Sequence, residues 1–219
     1  EPGSGIDDAQ VAGNVLTMLL AGEDTTANTL AWMIHLLQRH PDALRRAQQE
    51  VRRLVPDAAA ATFEHMEQLI YLDACASETM RLKPVAPFIA LQALRDTRIG
   101  DVAVPEGTQI WGVLRHDSVD ARHFAAPLEF RPERWLDEAE PGLSSAAKRA
   151  AMPFGSGPRI CPGRYLALLE MKVAMATLLS SFDIVAVDTP DGQPAAERMA
   201  FTMHPVGLTL RLREAGAVP

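Results

Sequence analysis

The stretch PFGSGPRICPGRYLALLE, residues 153–170, determines the fold class predicted for this chain. Glycines and prolines before Cys161 predict a rigid loop that is not helical, and the apolar residues after Gly163 predict a helix. A cysteine just before a helix meets backbone N–H groups and the positive end of the helix dipole, and both favour the thiolate over the thiol. Because the thiolate is the form that binds metals, the pattern indicates a metal ligand.

An isolated cysteine is more often a small buried hydrophobe than a ligand, and only the surrounding loop favours the second interpretation of Cys161. The other cysteine of the chain, Cys75, lies far away in the sequence. Two cysteines cannot form a disulfide framework or a cysteine-rich zinc site, which fits a reducing compartment. We therefore expect a cytoplasmic location.

The composition excludes several classes of protein. The chain has 219 residues, of which 47% are hydrophobic and 22% charged, as in a globular protein of one large or two small domains. A net charge of −7 without a dense basic block argues against nucleic acid as the main partner. No uncharged apolar run reaches about 18 residues, and the opening EPGSGIDDAQ is neither a signal peptide nor an anchor, so no membrane partner is expected.

Helical spacing of apolar residues dominates the first part of the chain. It predicts one helix over residues 7–39, a second that begins at Pro41, and two shorter helices in TFEHMEQLIYLDACASETMRL. Short β-rich runs over residues 88–113 predict a small antiparallel sheet. Residues 114–152 lack periodicity, and a helix after Gly163 leads into the closing strands FDIVAV and AFTMHPVGLTLRLR. The predicted fold is mainly α with a small antiparallel β portion.

The predicted long helix contains AGEDTTANTL, residues 21–30, whose glycine and threonines weaken a helix interior. Glycine alone costs about 1 kcal/mol at such a position, so its presence needs a compensating use. The simplest interpretation is a threonine-rich, solvated face that interrupts the helix.

Five residues of the cysteine loop match the pattern F-x-x-G-x-R-x-C-x-G and resemble the haem-binding loop of the cytochrome P450 family: Phe154, Gly157, Arg159, Cys161 and Gly163. The resemblance implies that Cys161 is the axial thiolate ligand of the iron of haem b. It also implies that Arg159 pairs with a haem propionate and that Phe154 packs beside the sulfur. Gly157 and Gly163 would let the backbone approach the sulfur and the porphyrin where a Cβ would clash.

The AGEDTT segment resembles the oxygen-binding part of the family's long central helix. By this resemblance Ala21 and Gly22 lie over the haem and leave room for dioxygen and substrate. Asp24 and Thr25 correspond to the family's acid and alcohol pair, which relays protons for cleavage of the O–O bond, whereas Glu23 lies outside that pair. The hydroxyl of Thr25 is also expected to bond back to a helix carbonyl and to distort the helix locally.

Two further segments resemble the family in order along the chain. ETMR supplies Glu78 and Arg81, neighbours on one helix face that alone would indicate only a surface ion pair. FRPERW, residues 130–135, supplies Arg134, which the family joins to that pair to fasten the irregular stretch. The resemblance implies a buried structural network of three charges, with Trp135 where the family usually has phenylalanine.

Candidate substrate contacts follow from the resemblance of PVAPFIALQ to the family's strand beside the haem. Ala86, Phe88 and Ile89 are candidates for the substrate pocket, as is Met203 at the tip of the last hairpin, although each of the four equally suits the core. The six histidines include no i, i+4 pair and no H-E-x-x-H pattern, so solvated or capping roles are expected rather than a metal site.

The resemblance implies a haem-thiolate monooxygenase, which inserts one oxygen atom of dioxygen into a small apolar substrate. Electrons would come from NAD(P)H through a ferredoxin- or flavodoxin-like donor, and Lys148, Arg149 and Arg164, which flank the cysteine loop, form a candidate docking patch. A haem-binding or redox-sensing module and a catalytically inert apo fragment are the alternatives.

The resemblance covers nearly all of residues 1–219 but only the second half of the family fold. We therefore expect the chain to be the C-terminal, haem-ligating part of a cytochrome P450 catalytic domain without its N-terminal half. Such a part would lack the lid over the substrate and the contacts to the second propionate. The isolated chain is expected to be inactive and to self-associate through uncovered apolar faces.

Overall fold

A computed structural model describes residues 5–136 and 143–216 of the chain. The α-helices of this part are α1 Asp8–Arg39, α2 Pro41–Leu54, α3 Phe63–Gln68, α4 Ile70–Leu82, α5 Leu114–Ser118, α6 Ser145–Ala151 and α7 Arg164–Ser181. Asp7 and Gln10 form a capping box that begins α1, and Pro41 occupies the first turn of α2, where its missing N–H does no harm. Among the described helices, none combines the length and the apolar character needed to cross a membrane.

The strands of the described part are β1 Phe88–Gln92, β2 Thr97–Ile99, β3 Val102–Val104, β4 Gln109–Val113, β5 Phe182–Asp188, β6 Glu197–Met199, β7 Met203–Pro205 and β8 Thr209–Glu214. They form two-stranded antiparallel sheets that pair β1 with β4, β2 with β3, β5 with β8, and β6 with β7. One sheet was predicted over residues 88–113. The structure has two there, because the β2–β3 hairpin turns back at Gly100 (φ +59°) and pairs only with itself.

Three of these elements, α5, α6 and β6, were not predicted from the sequence. The helix α6 lies within the stretch 114–152, and its start is capped by the Ser144 hydroxyl, which accepts the Ala147 N–H at 3.1 Å. Its sequence SAAKRAA carries alanines instead of large apolar residues, so no apolar stripe signals it. The strand β6 is short, and two of its three residues, Glu197 and Arg198, are charged.

The core lies between α2, α4, α7 and the C-terminal half of α1. Each of these helices contributes a side chain with no exposed surface: Leu37, Val51, Leu72 and Leu179. Arg52 of α2 donates to the carbonyl oxygens of Leu179 and Phe182 at 3.0 and 3.1 Å. These bonds satisfy carbonyls that the end of α7 would otherwise leave unpaired, so the helix that follows the cysteine loop is held at its far end.

The N-terminal half of α1 packs against no other element in the described part of the chain. Its residues from Asp8 to Glu23 are all exposed, and they include a set of large apolar side chains: Val11, Val15, Leu16, Met18, Leu19 and Leu20. We call this set the N-terminal α1 surface. An amphipathic helix normally buries its apolar stripe, so this surface is available for contact with another chain segment.

We expect the isolated 219-residue chain to form a dimer or larger species in solution. Val11, Val15 and Leu19 follow at intervals of four residues and lie 50%, 53% and 65% exposed, which favours association through the N-terminal α1 surface. Multi-angle light scattering measures the mass. The double variant Val15→Glu/Leu19→Glu should shift the chain toward the monomer.

The matched control is Val102→Glu, at a side chain 60% exposed on the β2–β3 hairpin. It should leave the mass unchanged. A monomeric parent chain at micromolar concentration would contradict the expectation.

Candidate functional site

The cysteine loop presents its sulfur at the surface of the described chain. Gly155 (φ +71°) and Gly157 (φ +67°) adopt left-handed backbone angles that favour glycine. The loop folds back so that the Cys161 N–H donates to the Phe154 carbonyl at 2.9 Å. The Cys161 thiol is free and exposed, which contradicts the interpretation of this cysteine as a buried hydrophobe.

Gly157 and Gly163 were expected to be glycines because a Cβ would clash with the sulfur, and the structure gives a different explanation for each. A Cβ at Gly157 would meet nothing within 4 Å, so the positive φ and not the space around the sulfur requires glycine there. A Cβ at Gly163 would lie 3.8 Å from the Cys161 Sγ, an ordinary van der Waals distance. The predicted clash with the sulfur is therefore wrong, and a steric need for Gly163 would have to come from a group outside the described chain.

The charged groups of the loop have few partners on this chain. Arg164 stacks with its guanidinium carbon 5.9 Å from the centre of the Phe154 ring, which is half-buried. Arg159 is exposed, and within residues 5–136 and 143–216 no carboxylate pairs with it. The three basic side chains predicted as a docking patch are also exposed: Lys148, Arg149 and Arg164. The Arg159 guanidinium is therefore accessible to an anionic group that does not belong to the described residues.

The centre of α1 is open on the side of its small residues. Ala21 and Gly22 are exposed, and a Cβ at Gly22 would meet nothing within 4 Å. The Thr25 hydroxyl donates to the Ala21 carbonyl at 2.6 Å, which is the predicted bond to a helix carbonyl. The helix continues without interruption from Asp8 to Arg39, which excludes the alternative interpretation of a solvated face that interrupts it.

Asp24 is held by two polar side chains, Thr202 and Asn28, that were not predicted as its partners. Thr202 Oγ1 donates to Asp24 Oδ2 at 2.5 Å, and Asn28 Nδ2 donates to Asp24 Oδ1 at 3.2 Å. The Asn28 contact could have been predicted, because Asn28 follows Asp24 by one helical turn. Thr202 had none, since 178 positions separate it from Asp24.

Glu78 is the centre of a buried network. Its two carboxylate oxygens accept from Arg81 at 2.8 Å each and from Arg134 Nε at 2.9 Å, and Glu78 and Arg81 have no exposed side-chain surface. Burial alone raises the pKa of Glu78. The hydrogen bonds and charge of Arg81, with donors from Arg131 and Trp135, outweigh burial and hold that pKa below its ordinary value.

The same network fastens the irregular stretch after β4. Its two guanidinium groups donate to backbone carbonyls at 2.6–3.3 Å: Arg81 to Ser118, Pro127 and Glu129, and Arg134 to Ala125 and Ala126. Trp135 Nε1 donates to Glu78 Oε2 at 2.8 Å. A phenylalanine cannot make this bond, so Trp135 is a member of the network and more than a tolerated aromatic residue.

A second ion-pair group holds the hairpin of β6 and β7. Glu197 binds Lys83 at the end of α4 and accepts from Arg115 Nη2 at 2.9 Å. The Arg115 hydrogen bond is the main reason that the pKa of Glu197 is lowered to about 2. Lys83 lies 4.6 Å from the centre of the Trp32 ring, and Trp32 Nε1 donates to the Met203 carbonyl at 3.2 Å. These contacts hold the tip of the hairpin against α1.

The four candidate pocket residues differ in their exposure. Ala86 and Phe88 are exposed, and Ile89 and Met203 are half-buried, so the core alternative is excluded for the first two. The Phe88 ring meets the Trp111 ring edge-on at 6.4 Å. The backbone N–H of Met203 donates to the Val85 carbonyl at 2.8 Å. The hairpin tip therefore lies next to the segment that enters β1.

The histidines differ from one another in their surroundings. His40 bonds to the Leu36 carbonyl at 2.7 Å, and His65 belongs to the capping box of α3, as expected for capping roles. His35 is buried, which contradicts a solvated or capping role. Burial, followed by the charge of Arg39 and Lys83, lowers the pKa of His35, so this side chain is neutral at pH 7.

One exposed group of potential metal ligands lies at the end of α5. His116, Asp117 and Asp120 each bring one ligand atom within 4.8 Å of the others. The Asp120 carboxylate is already bound by Arg122 at 2.7 and 2.9 Å. We assign no metal to this group.

Comparisons with known proteins agree with the loop pattern. A family model for cytochrome P450 matches residues 1–212. The probable cytochrome P450 4d20 of Drosophila melanogaster is 35% identical over 211 residues, which cover 95% of this chain and 40% of that protein. The mitochondrial 1,25-dihydroxyvitamin D(3) 24-hydroxylase of Rattus norvegicus is 37% identical over 174 residues, or 80% of this chain and 33% of that protein.

A third relative is the self-sufficient cytochrome P450 monooxygenase CYP505AG1 of Oidiodendron maius, 34% identical over 86% of this chain and 17% of that protein. Among solved structures, the cytochrome P450DA heme domain matches with a TM-score of 0.85 and 31% identity, covering 97% of this chain and 47% of that chain. A cytochrome P450 named CYP102L1 matches with a TM-score of 0.84 and 31% identity, covering 97% and 48%. The chain thus spans less than half the length of each of these proteins.

Proposed function

The chain belongs to the cytochrome P450 family, and on this basis we propose that it supplies the haem-ligating and proton-relaying residues of a haem-thiolate monooxygenase. The observation that carries the proposal is the free, exposed thiol of Cys161 in a glycine loop that directly precedes α7. The loop leads into the N-terminal end of an 18-residue helix, so the sulfur sits on a short segment that is anchored by a long one.

The residues present fit a haem b group. Cys161 would hold the iron, and Arg159, which lacks a carboxylate partner among the described residues, would pair with a propionate. Ala21 and Gly22 offer an open helix surface on which no protein atom occupies the space of a Cβ at Gly22. When bound, haem supplies an iron centre that takes up electrons and activates dioxygen, with the thiolate donating electron density.

Asp24 and Thr25 are the proposed proton-relay pair of this chain. The Thr25 hydroxyl donates a hydrogen bond to the Ala21 carbonyl at 2.6 Å. The lone pairs of its Oγ1 remain free to accept a hydrogen bond from water or another donor. Asp24 directly precedes Thr25 in the sequence and is half-buried, so its carboxylate is within reach of solvent. Both of its carboxylate oxygens accept hydrogen bonds. Within the described residues no hydrogen bond joins Asp24 to Thr25, so the pair would relay a proton from solvent through water.

The overall reaction consumes two electrons and two protons for each dioxygen, places one oxygen atom in a small apolar substrate, and releases the other as water. We propose NAD(P)H as the electron source and a ferredoxin- or flavodoxin-like donor as the partner. Lys148, Arg149 and Arg164 are exposed and basic in a chain of net charge −7. An acidic electron donor would be attracted to these side chains.

Exposed Phe88 and half-buried Met203 are the proposed apolar contacts of the substrate.

We expect Thr25→Ala in the haem-loaded intact enzyme, of which this chain would be the C-terminal part, to lower product formed per NAD(P)H consumed by about tenfold or more, because a positioned proton donor typically contributes at least this factor. The lost electrons should appear as hydrogen peroxide, while the haem content stays the same. The measurement is product and peroxide per NAD(P)H oxidised.

The matched control for this variant is Thr177→Ala on α7. The Thr177 hydroxyl makes the same kind of backbone bond, to the Val173 carbonyl at 2.9 Å, at an exposed position. It should leave the product yield unchanged. If Thr25→Ala and Thr177→Ala behave alike, Thr25 has no part in the relay.

A further inference from the structure

The hydroxyl of Thr202 connects the β6–β7 hairpin to the centre of α1. It donates to Asp24 Oδ2 at 2.5 Å and accepts from Asn28 Nδ2 at 2.9 Å. The same amide donates to Asp24 Oδ1 at 3.2 Å. Both carboxylate oxygens therefore have a donor, and the three side chains form a closed ring of hydrogen bonds.

Thr202 is itself firmly placed. Its side chain and backbone are 2% exposed, and its carbonyl accepts from the Ala200 N–H at 3.0 Å. The next residue, Met203, donates to the Val85 carbonyl at 2.8 Å and accepts from Trp32 Nε1 at 3.2 Å. The hydroxyl is thus fixed relative to α1 by bonds on either side of it.

We propose that Thr202 is a positioning residue, whose hydroxyl holds the Asp24 carboxylate in one orientation and links that orientation to the hairpin that carries Met203. The proposal rests on the proposed relay role of Asp24 and Thr25. It adds a residue from outside α1, and it makes the hairpin at the proposed substrate pocket part of the proton path.

The physical reason lies in the partial exposure of Asp24. A half-buried carboxylate has space to rotate toward solvent, and each hydrogen bond that it accepts restricts this rotation. The Asn28 bond alone is long, at 3.2 Å, and leaves Oδ2 without a protein donor. Loss of the Thr202 hydroxyl therefore removes the shorter of the two bonds that fix the acid.

The test compares Thr202→Val, which keeps the shape and removes the hydroxyl, with Thr202→Ser, which keeps the hydroxyl. The haem-loaded intact enzyme receives electrons from NADPH through a surrogate ferredoxin and its reductase. The first readout is peroxide released per NADPH oxidised. The second, independent of turnover, is amide hydrogen exchange at Thr202 and Met203. Thr189→Val is the matched control, since the Thr189 hydroxyl bonds the Gln193 carbonyl at 2.7 Å in an exposed turn.

We expect Thr202→Val to accelerate exchange and to raise the peroxide released per NADPH oxidised by about fivefold, the factor that corresponds to the loss of one ordinary hydrogen bond. Thr202→Ser should restore both readouts, and Thr189→Val should change neither. Addition of Asp24→Asn to Thr202→Val should raise peroxide no further than Asp24→Asn alone, because the two residues act through one contact.

Three outcomes overturn the proposal. Unchanged exchange in Thr202→Val means that the contact does not form. Faster exchange with parental peroxide means that Thr202 only anchors the hairpin, and a serine variant that fails to restore peroxide means that the hydroxyl is not the active group. Thr25→Ala is measured in parallel: if it leaves peroxide unchanged, the proposed relay itself is wrong, whereas a response to Thr25→Ala without one to Thr202→Val rejects only the role of Thr202.

Discussion

The Cys161→Ala and Cys161→His proteins are expected to lose completely the long-wavelength absorption band that reduced haem-thiolate proteins show with carbon monoxide. Cys161 is exposed and contributes nothing to the core, so the helices should remain folded by circular dichroism. The sulfur is the proposed axial ligand, and the band depends on thiolate ligation. The absorption difference spectrum of the haem-loaded protein measures the effect.

The control for this prediction is Cys75→Ala. Cys75 is fully buried in α4, and burial raises the pKa of its thiol well above the ordinary value. Its removal should reduce stability by leaving a small cavity but should keep the band. An unchanged spectrum in Cys161→Ala, or a lost band in Cys75→Ala, would reject Cys161 as the ligand.

The Glu78→Gln protein is expected to lose about 3–5 kcal/mol of unfolding free energy, the typical cost of leaving buried charges without their partner. Glutamine has nearly the same shape, so the loss comes from charge. Two guanidinium groups, of Arg81 and Arg134, would remain buried at 0% and 8% side-chain exposure without a carboxylate. Chemical denaturation of the parent and the variant measures the difference.

Glu129→Gln is the matched control for Glu78→Gln. Glu129 lies in the same irregular stretch, its side chain is exposed, and only its backbone carbonyl accepts from Arg81. This variant should stay within about 0.5 kcal/mol of the parent. Equal effects of the two substitutions would show that the Glu78 charge is not what holds the stretch.

The contribution of Glu78 to the free energy of unfolding should also depend on pH. Its pKa in the folded chain lies below the ordinary value of 4.5, so folding favours the ionised form. The stabilisation is therefore fully present above pH 4.5 and is lost as the pH falls through the lowered pKa. The difference in stability between the parent and Glu78→Gln should accordingly narrow in acid. A difference that stays constant at low pH would contradict an ionic role.

Local patterns in the sequence were sufficient to predict the family and the fold class. The cysteine loop predicted the cytochrome P450 family, and that prediction is confirmed by the match over residues 1–212. The mainly α fold with small antiparallel sheets is confirmed as well. Both depend on neighbouring residues: a glycine sets its own backbone angle, and the period of an apolar stripe sets its own helix. The roles of Cys161, Asp24 and Thr25 stay proposals.

Only the tertiary structure decided which distant groups meet. Thr202 lies 178 positions from Asp24, and Trp135 lies 57 from Glu78, so no spacing rule links either pair. The same limit explains the buried His35 and the open N-terminal half of α1. An apolar stripe shows that a helix face will be covered but does not show by which segment, because burial depends on what packs against a residue and not on the residue itself.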